Sequence, residues 1–153
     1  MKRITLVIAS VIAVAAALAS CSTAVPREDP ILHRSVRTTA ELDALLAQKD
    51  RSPILIDLRD RKDFEAGHIP NFLNISNADG GDLLATWITP IKRTKPVILI
   101  CYGGNRSARA FEQLVIMGFR EIADFSPGYA AYSREKGEGY RAETGSCDCP
   151  EPK

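Results

Sequence analysis

The residues best equipped for chemistry stand together at Cys101-Tyr102-Gly103-Gly104-Asn105-Arg106-Ser107. Many unpaired cysteines are small buried hydrophobes, but this one opens a polar, glycine-rich loop. Two consecutive glycines let the backbone curl until several N–H groups face one point, and N–H groups at a helix start lack partners of their own. Such a cradle favours an anion, so a sulfur held in it is stabilised as the thiolate, which is the nucleophilic form. Arg106 adds a fixed positive charge and Ser107 a hydroxyl. The chemistry on offer is attack by Cys101, with the anionic group of a substrate or intermediate held by Tyr102 to Ser107.

Positioning such a loop takes a strand behind it and a helix in front. Val97 to Ile100 is an unbroken β-branched and leucine run behind Pro96, too short for a helix and suited to a strand buried on both faces. Beyond the loop, Ala110, Phe111, Leu114, Val115 and Gly118 recur at three- and four-residue spacing, which predicts a helix with Ser107 as its N-cap. The thiol then sits at the carboxyl edge of a sheet, where open α/β sheets place their ligands.

The remaining elements follow the same alternation. Thr38 and Glu41 form a capping-box pattern ahead of Leu42, Leu45 and Leu46. Ile54-Leu55-Ile56 predicts a second buried strand ending in Asp57-Leu58-Arg59, where two charges are costly unless paired. Asp60 to Ala66 predicts a short helix with Phe64 inward, and Gly67-His68-Ile69-Pro70 turns the chain into a strand at Leu73 to Ile75. After a turn-rich loop, Asp82 can cap a helix carrying Leu83, Leu84, Trp87 and Ile91. Ile122 to Phe125 is the last strand, and Ser126-Pro127-Gly128 opens a final helix with Tyr129 and Tyr132. The pattern predicts an α/β fold, a doubly wound parallel sheet with helices on both faces.

The loop Cys101 to Ser107 resembles the active-site loop of rhodanese-like sulfurtransferases, in which a Cys and four variable residues are followed by Arg-Ser opening a helix. Ile54 to Ile75 is similar to that family's Asp-x-Arg strand end followed by Phe-x-x-Gly-His-Ile-Pro, and together the two cover most of Thr39 to Gly137. The resemblance implies a rhodanese-like fold and a persulfide on Cys101. Sulfane sulfur would come from a small donor such as thiosulfate and pass to a thiol or cyanide, with no metal and no cofactor. It implies that Tyr102, Gly103, Gly104, Asn105, Arg106 and Ser107 bind the substrate. Asp57, Arg59 and His68 would be structural supports, the imidazole fixing loop backbone instead of acting as a base. Arg106 either faces the loop mouth or pairs outward with a carboxylate.

Two other classes remain at this point. A phosphatase or arsenate reductase also uses a thiolate in an anion cradle, but its Arg stands one residue further on, where this chain has Ser107. A non-catalytic or carrier module is kept open by departures from the family pattern. Tyr102 and Gly103 stand where some members carry basic residues, Asn71 and Phe72 replace small residues, and Tyr129 and Tyr132 fall where Trp is common.

The N-terminal stretch is an address. Lys2 and Arg3 precede the apolar run Ile4 to Leu18, and Leu18-Ala19-Ser20-Cys21 resembles the lipobox of bacterial lipoproteins. The expectation is a signal over residues 1–20, lipid on Cys21 and a tether over 21–37 in which His33 is solvated. A domain over 38–140 and a flexible Cys-x-Cys tail over 141–153 follow; Cys147 and Cys149 could pair in a small disulfide, help to bind a metal or stay free, and the expectation is that they do not reach the loop. The protein would then be a lipid-anchored membrane protein of the cell envelope facing the periplasm or the outside, and Ser22 after Cys21 resembles lipoproteins released to the outer membrane. Without residues 1–20, 18 basic residues face 19 acidic ones, a balance that offers no basic surface for nucleic acid.

Overall fold

The structure is a computed structural model that describes residues 31–76 and 83–147. Its five strands are β1 (Leu32–Val36), β2 (Ile54–Asp57), β3 (Leu73–Asn74), β4 (Val97–Ile100) and β5 (Glu121–Phe125). The helices are α1 (Thr39–Leu46), α2 (Arg61–Ala66), α3 (Leu83–Ile88), α4 (Asn105–Ile116) and α5 (Gly128–Lys136). The strands form one sheet in the order β1-β5-β4-β2-β3, every pair parallel.

Strand β4 occupies the middle because every residue in it is apolar and can be buried on either side. Val97 and Leu99 pack on one face with Leu84 and Ile88 of α3 and Ala110 and Leu114 of α4. Ile98 and Ile100 pack on the other with Leu42 and Leu45 of α1, Phe64 of α2 and Tyr132 of α5. The doubly wound α/β architecture is thus present, with two cores flanking one sheet. Phe64, Phe72, Phe119 and Phe125 are each at most 2% exposed, and burying a side chain of that size contributes roughly 1.5–3 kcal/mol.

Local signals hold where they rest on backbone chemistry. The Thr38 hydroxyl accepts the Glu41 N–H at 3.2 Å while the Glu41 carboxylate accepts the Thr38 N–H at 3.2 Å, so the capping box is complete. Asn71 adopts φ +67°, a left-handed conformation that Asn tolerates and that a small residue would also satisfy.

Three expectations are corrected. The tether does not run to residue 37, because Leu32 to Val36 pairs along its whole length with Glu121 to Phe125 as an edge strand of the sheet. His33 is accordingly no linker residue: its Nε2 donates to the Phe119 carbonyl at 2.8 Å and its ring meets Phe111 edge-on. The tail is docked at least to Cys147. Glu143 and His68 exchange two backbone hydrogen bonds at 2.9 and 3.0 Å, the Gly145 N–H reaches the Glu65 carbonyl at 2.9 Å, and Cys147 packs into the second core. The segment from His68 to Asn74 has polar backbone that a passing strand of tail can satisfy, which is the physical reason it docks. The N-terminal signal, Cys21, the cap at Asp82 and Cys149 lie outside the described residues.

Candidate active site

Strand β4 ends at Ile100, and Cys101 follows at the carboxyl edge with 2% of its surface exposed and no disulfide. The Gly104 N–H donates to Cys101 Sγ at 3.1 Å, and Ser107 Oγ stands 3.6 Å from the same sulfur. Helix α4 starts at Asn105 with Gly104 as its N-cap, so Ser107 lies inside the first turn instead of capping it. Its hydroxyl, fully buried, is thereby aimed into the loop toward the sulfur and the Gly104 carbonyl, 3.0 Å away. Tyr102, Gly103 and Asn105 form the exposed outer side of the loop, Tyr102 being 59% exposed.

The loop is pinned from the β5–α5 side. The N–H groups of Tyr129 and Ala130, in the first turn of α5, donate to the carbonyls of Cys101 and Tyr102 at 2.8 and 3.1 Å. The backbones can approach this closely only because both contact points are glycines. A Cβ on Gly104 (φ +91°) would meet the Ser126 carbonyl oxygen at 2.0 Å, and one on Gly128 (φ +76°) would meet the Tyr102 carbonyl oxygen at 2.4 Å.

Arg106 turns toward the start of α2. Its Nη1 donates to the Leu58 carbonyl at 3.1 Å and to Asp60 Oδ1 at 2.6 Å, with the side chain about a third exposed. Of the two positions open to it in the sequence, the outward pair is the one occupied, and it ties the thiol loop to the end of β2.

Asp57, Arg59 and His68 are brought together in a buried support beneath α2. The Arg59 Nε and Nη2 engage Asp57 Oδ2 at 2.9 and 2.7 Å, while Nη2 and Nη1 also donate to the carbonyls of Gly67 and Asp63. Asn74 Nδ2 donates to the carbonyls of Asp57 and Arg59 at 3.1 and 2.8 Å. Tyr129 covers the guanidinium, which lies 3.7 Å from its ring centroid. The His68 ring stacks on Phe64, with Nδ1 donating to the Phe64 carbonyl at 2.9 Å and Nε2 3.5 Å from Glu143 Oε2. These contacts spend the ring nitrogens on structure, away from any role as a base toward Cys101.

Two side chains have surroundings that sequence reasoning did not assign. Cys147 is disulfide-bonded, and its Sγ accepts the Asn74 N–H at 3.3 Å, at the same carboxyl edge as Cys101 but beside β3. Asp124, next to last in β5, is a buried acid whose carboxyl is pushed up by burial, with an opposing hydrogen bond from Ser107. Its only sequence signal was a charged residue inside an apolar strand.

Comparison with known proteins agrees with this geometry. Residues 38–135 match the sequence profile described as Rhodanese-like domain. The chain is 30% identical over 97 residues to "Thiosulfate sulfurtransferase GlpE" of Pseudomonas savastanoi pv. phaseolicola, covering 61% of this chain and 88% of that one. A protein of the same description from Pseudomonas syringae pv. syringae is 31% identical over 83 residues, covering 54% and 74%. Among solved structures, the rhodanese-like domain protein from Staphylococcus aureus superposes with a TM-score of 0.59 at 25% identity, covering 74% of this chain and 99% of that one. The rhodanese-related protein from Thermoplasma volcanium gives 0.56 at 29%, covering 71% and 96%. Matched over most of its sheet and over the whole thiol loop, this chain belongs to the rhodanese-like family.

Proposed function

We propose that the protein is a sulfurtransferase that carries sulfane sulfur on Cys101. The thiolate attacks the outer sulfur of a donor such as thiosulfate. The donor's S–S bond breaks, sulfite leaves with the electron pair, and Cys101 holds a persulfide. Cyanide or a thiolate then attacks the terminal sulfur and regenerates the Cys101 thiolate, so the cycle is ping-pong. The observation that carries this reading is the free Cys101 Sγ under the Gly104 N–H and the Ser107 hydroxyl, donors that stabilise a sulfur anion before and after transfer. Tyr102 to Asn105 would line the approach, and Arg106, whose Nη1 is spent on Leu58 and Asp60, would have to turn its remaining N–H groups to the anionic end of the donor at the rim.

The test is the intact mass of the purified protein after incubation with thiosulfate, with and without cyanide. A gain of one sulfur that cyanide removes is expected. No gain defeats the reading, and a sulfur that loads but resists every small acceptor marks a carrier in place of an enzyme.

In the same reading, lipid on Cys21 anchors the domain to a membrane of the cell envelope. Its support lies in Leu18 to Cys21 alone. Two or more acyl chains give stable anchoring where one is marginal. Cys21→Ala is expected to release the protein from membranes and to end labelling by palmitate, and unchanged attachment would show that the apolar run is itself the anchor.

A further inference from the structure

The large apolar side chains exposed among the described residues are unevenly placed. They are Ile31, Leu32, Val115, Ile116 and Tyr102, and only Tyr102 stands at the carboxyl edge of the sheet with the thiol. Ile31 and Leu32 lead into β1, while Val115 and Ile116 end α4, which starts at the carboxyl edge and has run back to the amino edge before β5 begins. Ile31 is 65% exposed and Ile116 87%. Scattered singly such residues mean little, but gathered at one end of a domain they mark a surface that meets something apolar.

Hydrogen bonds join the segments of this amino edge into a row. The Leu32 N–H donates to the Arg120 carbonyl at 2.7 Å, the Arg120 N–H to the Arg93 carbonyl at 2.9 Å, and the Ile54 N–H to the Pro96 carbonyl at 2.8 Å. At the far end of the row β3 pairs only with Ile56 and Asp57, so it leaves the start of β2 uncovered. A cleft of about 520 Å³ opens there, walled by Ile54, Leu73, Trp87 and Ile91 and lined also by Lys92 and Lys95. No acidic side chain lines it, and neither ammonium has an acidic partner among the described residues. The acids of this edge, Asp50 and Glu121, lie with Arg51 and Arg120, and Glu121 is paired with Arg51 at 2.7 Å.

Apolar side chains beside unpaired cations fit a partner that is anionic on its surface and apolar beneath it, which is a bilayer with acidic headgroups. The course of the chain points the same way. Ile31 enters the fold at the amino edge, and the ten residues 21–30 that join it to Cys21 span at most about 36 Å. Cys101 and its loop are at the opposite edge.

We propose that the amino edge of the sheet lies on an anionic membrane surface. Ile31 and Ile116 enter the boundary between headgroups and acyl chains, the Trp87 cleft lies against it, lipid phosphates hold Lys92 and Lys95, and Cys101 faces away from the membrane toward its substrates. The inference rests on the proposed anchor at Cys21, but its test reads the contact apart from the anchor.

Trp87 is the one tryptophan of the chain, so its fluorescence reports this edge alone. The full-length protein is reconstituted in vesicles whose acyl chains carry bromine, a short-range quencher, made either of phosphatidylcholine or of phosphatidylcholine with phosphatidylglycerol. Quenching of Trp87 is expected to be at least about twofold greater with the anionic lipid and to fall as salt is raised. Lys92→Glu combined with Lys95→Glu, neither residue being buried, is expected to bring it down to the phosphatidylcholine level, and Ile116→Asp to lower it as well. Equal quenching in the two lipids, or quenching unmoved by these substitutions, would overturn the proposal. Quenching that follows protein concentration in place of lipid charge would assign the surface to a second copy of the chain and overturn it equally. Palmitate labelling reports the anchor independently. A labelled chain without the anionic quenching loses the contact alone, and an unlabelled chain that keeps the quenching loses the lipid on Cys21 alone.

Discussion

Gly104 and Ser126 touch backbone to backbone: a Cβ on Gly104 would lie 2.0 Å from the Ser126 carbonyl oxygen. The same Gly104 supplies the N–H that points at Cys101 Sγ from 3.1 Å. Placement of the nucleophile's donor and close packing of the β5–α5 turn are therefore one constraint. Gly104→Ala is expected to cost about 1–3 kcal/mol from left-handed strain and from the clash. It should also slow sulfur loading more than its stability loss accounts for, since the N–H must swing away. Native loading kinetics in a folded Gly104→Ala protein would show that this donor does not matter.

Cys101→Ser is expected to abolish sulfur transfer with little change in melting temperature. Exchanging S for O at a site bounded by a glycine N–H and a serine hydroxyl removes the nucleophile and leaves packing almost as it was. Persistent thiocyanate formation by the variant would move the chemistry to another residue.

Arg106→Ala is expected to raise the KM for an anionic donor several-fold and to leave stability nearly untouched. The pair it breaks with Asp60 is partly exposed, 36% on Arg106 and 47% on Asp60, a class of contact that contributes about 0–1 kcal/mol. Lys at this position restores charge but not the two-pronged fit. Donor kinetics indifferent to the substitution would leave Arg106 a brace between α4 and the end of β2 and nothing more.

The support under α2 behaves in the opposite way. Asp57 and Arg59 are 1% and 2% exposed, and each holds backbone groups in addition to the other. Asp57→Ala leaves a buried guanidinium without its counter-charge, and is expected to destabilise the domain by about 3–5 kcal/mol in a urea titration. A loss below about 1 kcal/mol would mean that water takes the carboxylate's place.

Asp124 gives the domain a stability profile with a definite sign. Its carboxyl is raised by burial, so the folded chain holds that proton more tightly than the unfolded chain does. Stability contributed by the neutral acid is complete below the unfolded aspartate value near ~4 and declines as pH climbs through the folded value, then levels off. Asp124→Asn has no such decline. The melting-temperature difference between variant and native protein is expected to grow over that window, and a constant difference across it would contradict a raised carboxyl.

The parts of the fold that periodicity and capping control were legible in the sequence. Val97 to Ile100 could only be a doubly buried strand, and Thr38 with Glu41 could hardly be other than a helix start. The thiol loop was legible because its chemistry is local. Strand β1 was not, because four of its five residues are exposed and Leu-His-Arg-Ser-Val carries no apolar alternation. Only its distant partner β5 makes it a strand. The tail escaped for the same reason, since the groups it satisfies, on Glu65, His68 and Asn74, lie some seventy to eighty residues back along the chain. Asp124 looked like a polar interruption at the end of a strand. Its relation to Ser107 exists only once α4 lies over β5.

The pairing of β1 with β5 also bears on how the domain comes into being. Leu32 is in register with Glu121 and Val36 with Phe125, so the first strand made has no neighbour until the last strand exists. Loop closure over that span costs entropy that only the late pairing of β1 with β5 repays. During synthesis, a chain halted before Glu121 carries an unpaired β1 and leaves one edge of β4 open, both inviting to other strands. The nucleophile is already present in such a chain, but the β5–α5 turn that pins its loop is not. The cysteine is therefore made before the turn that pins its loop exists.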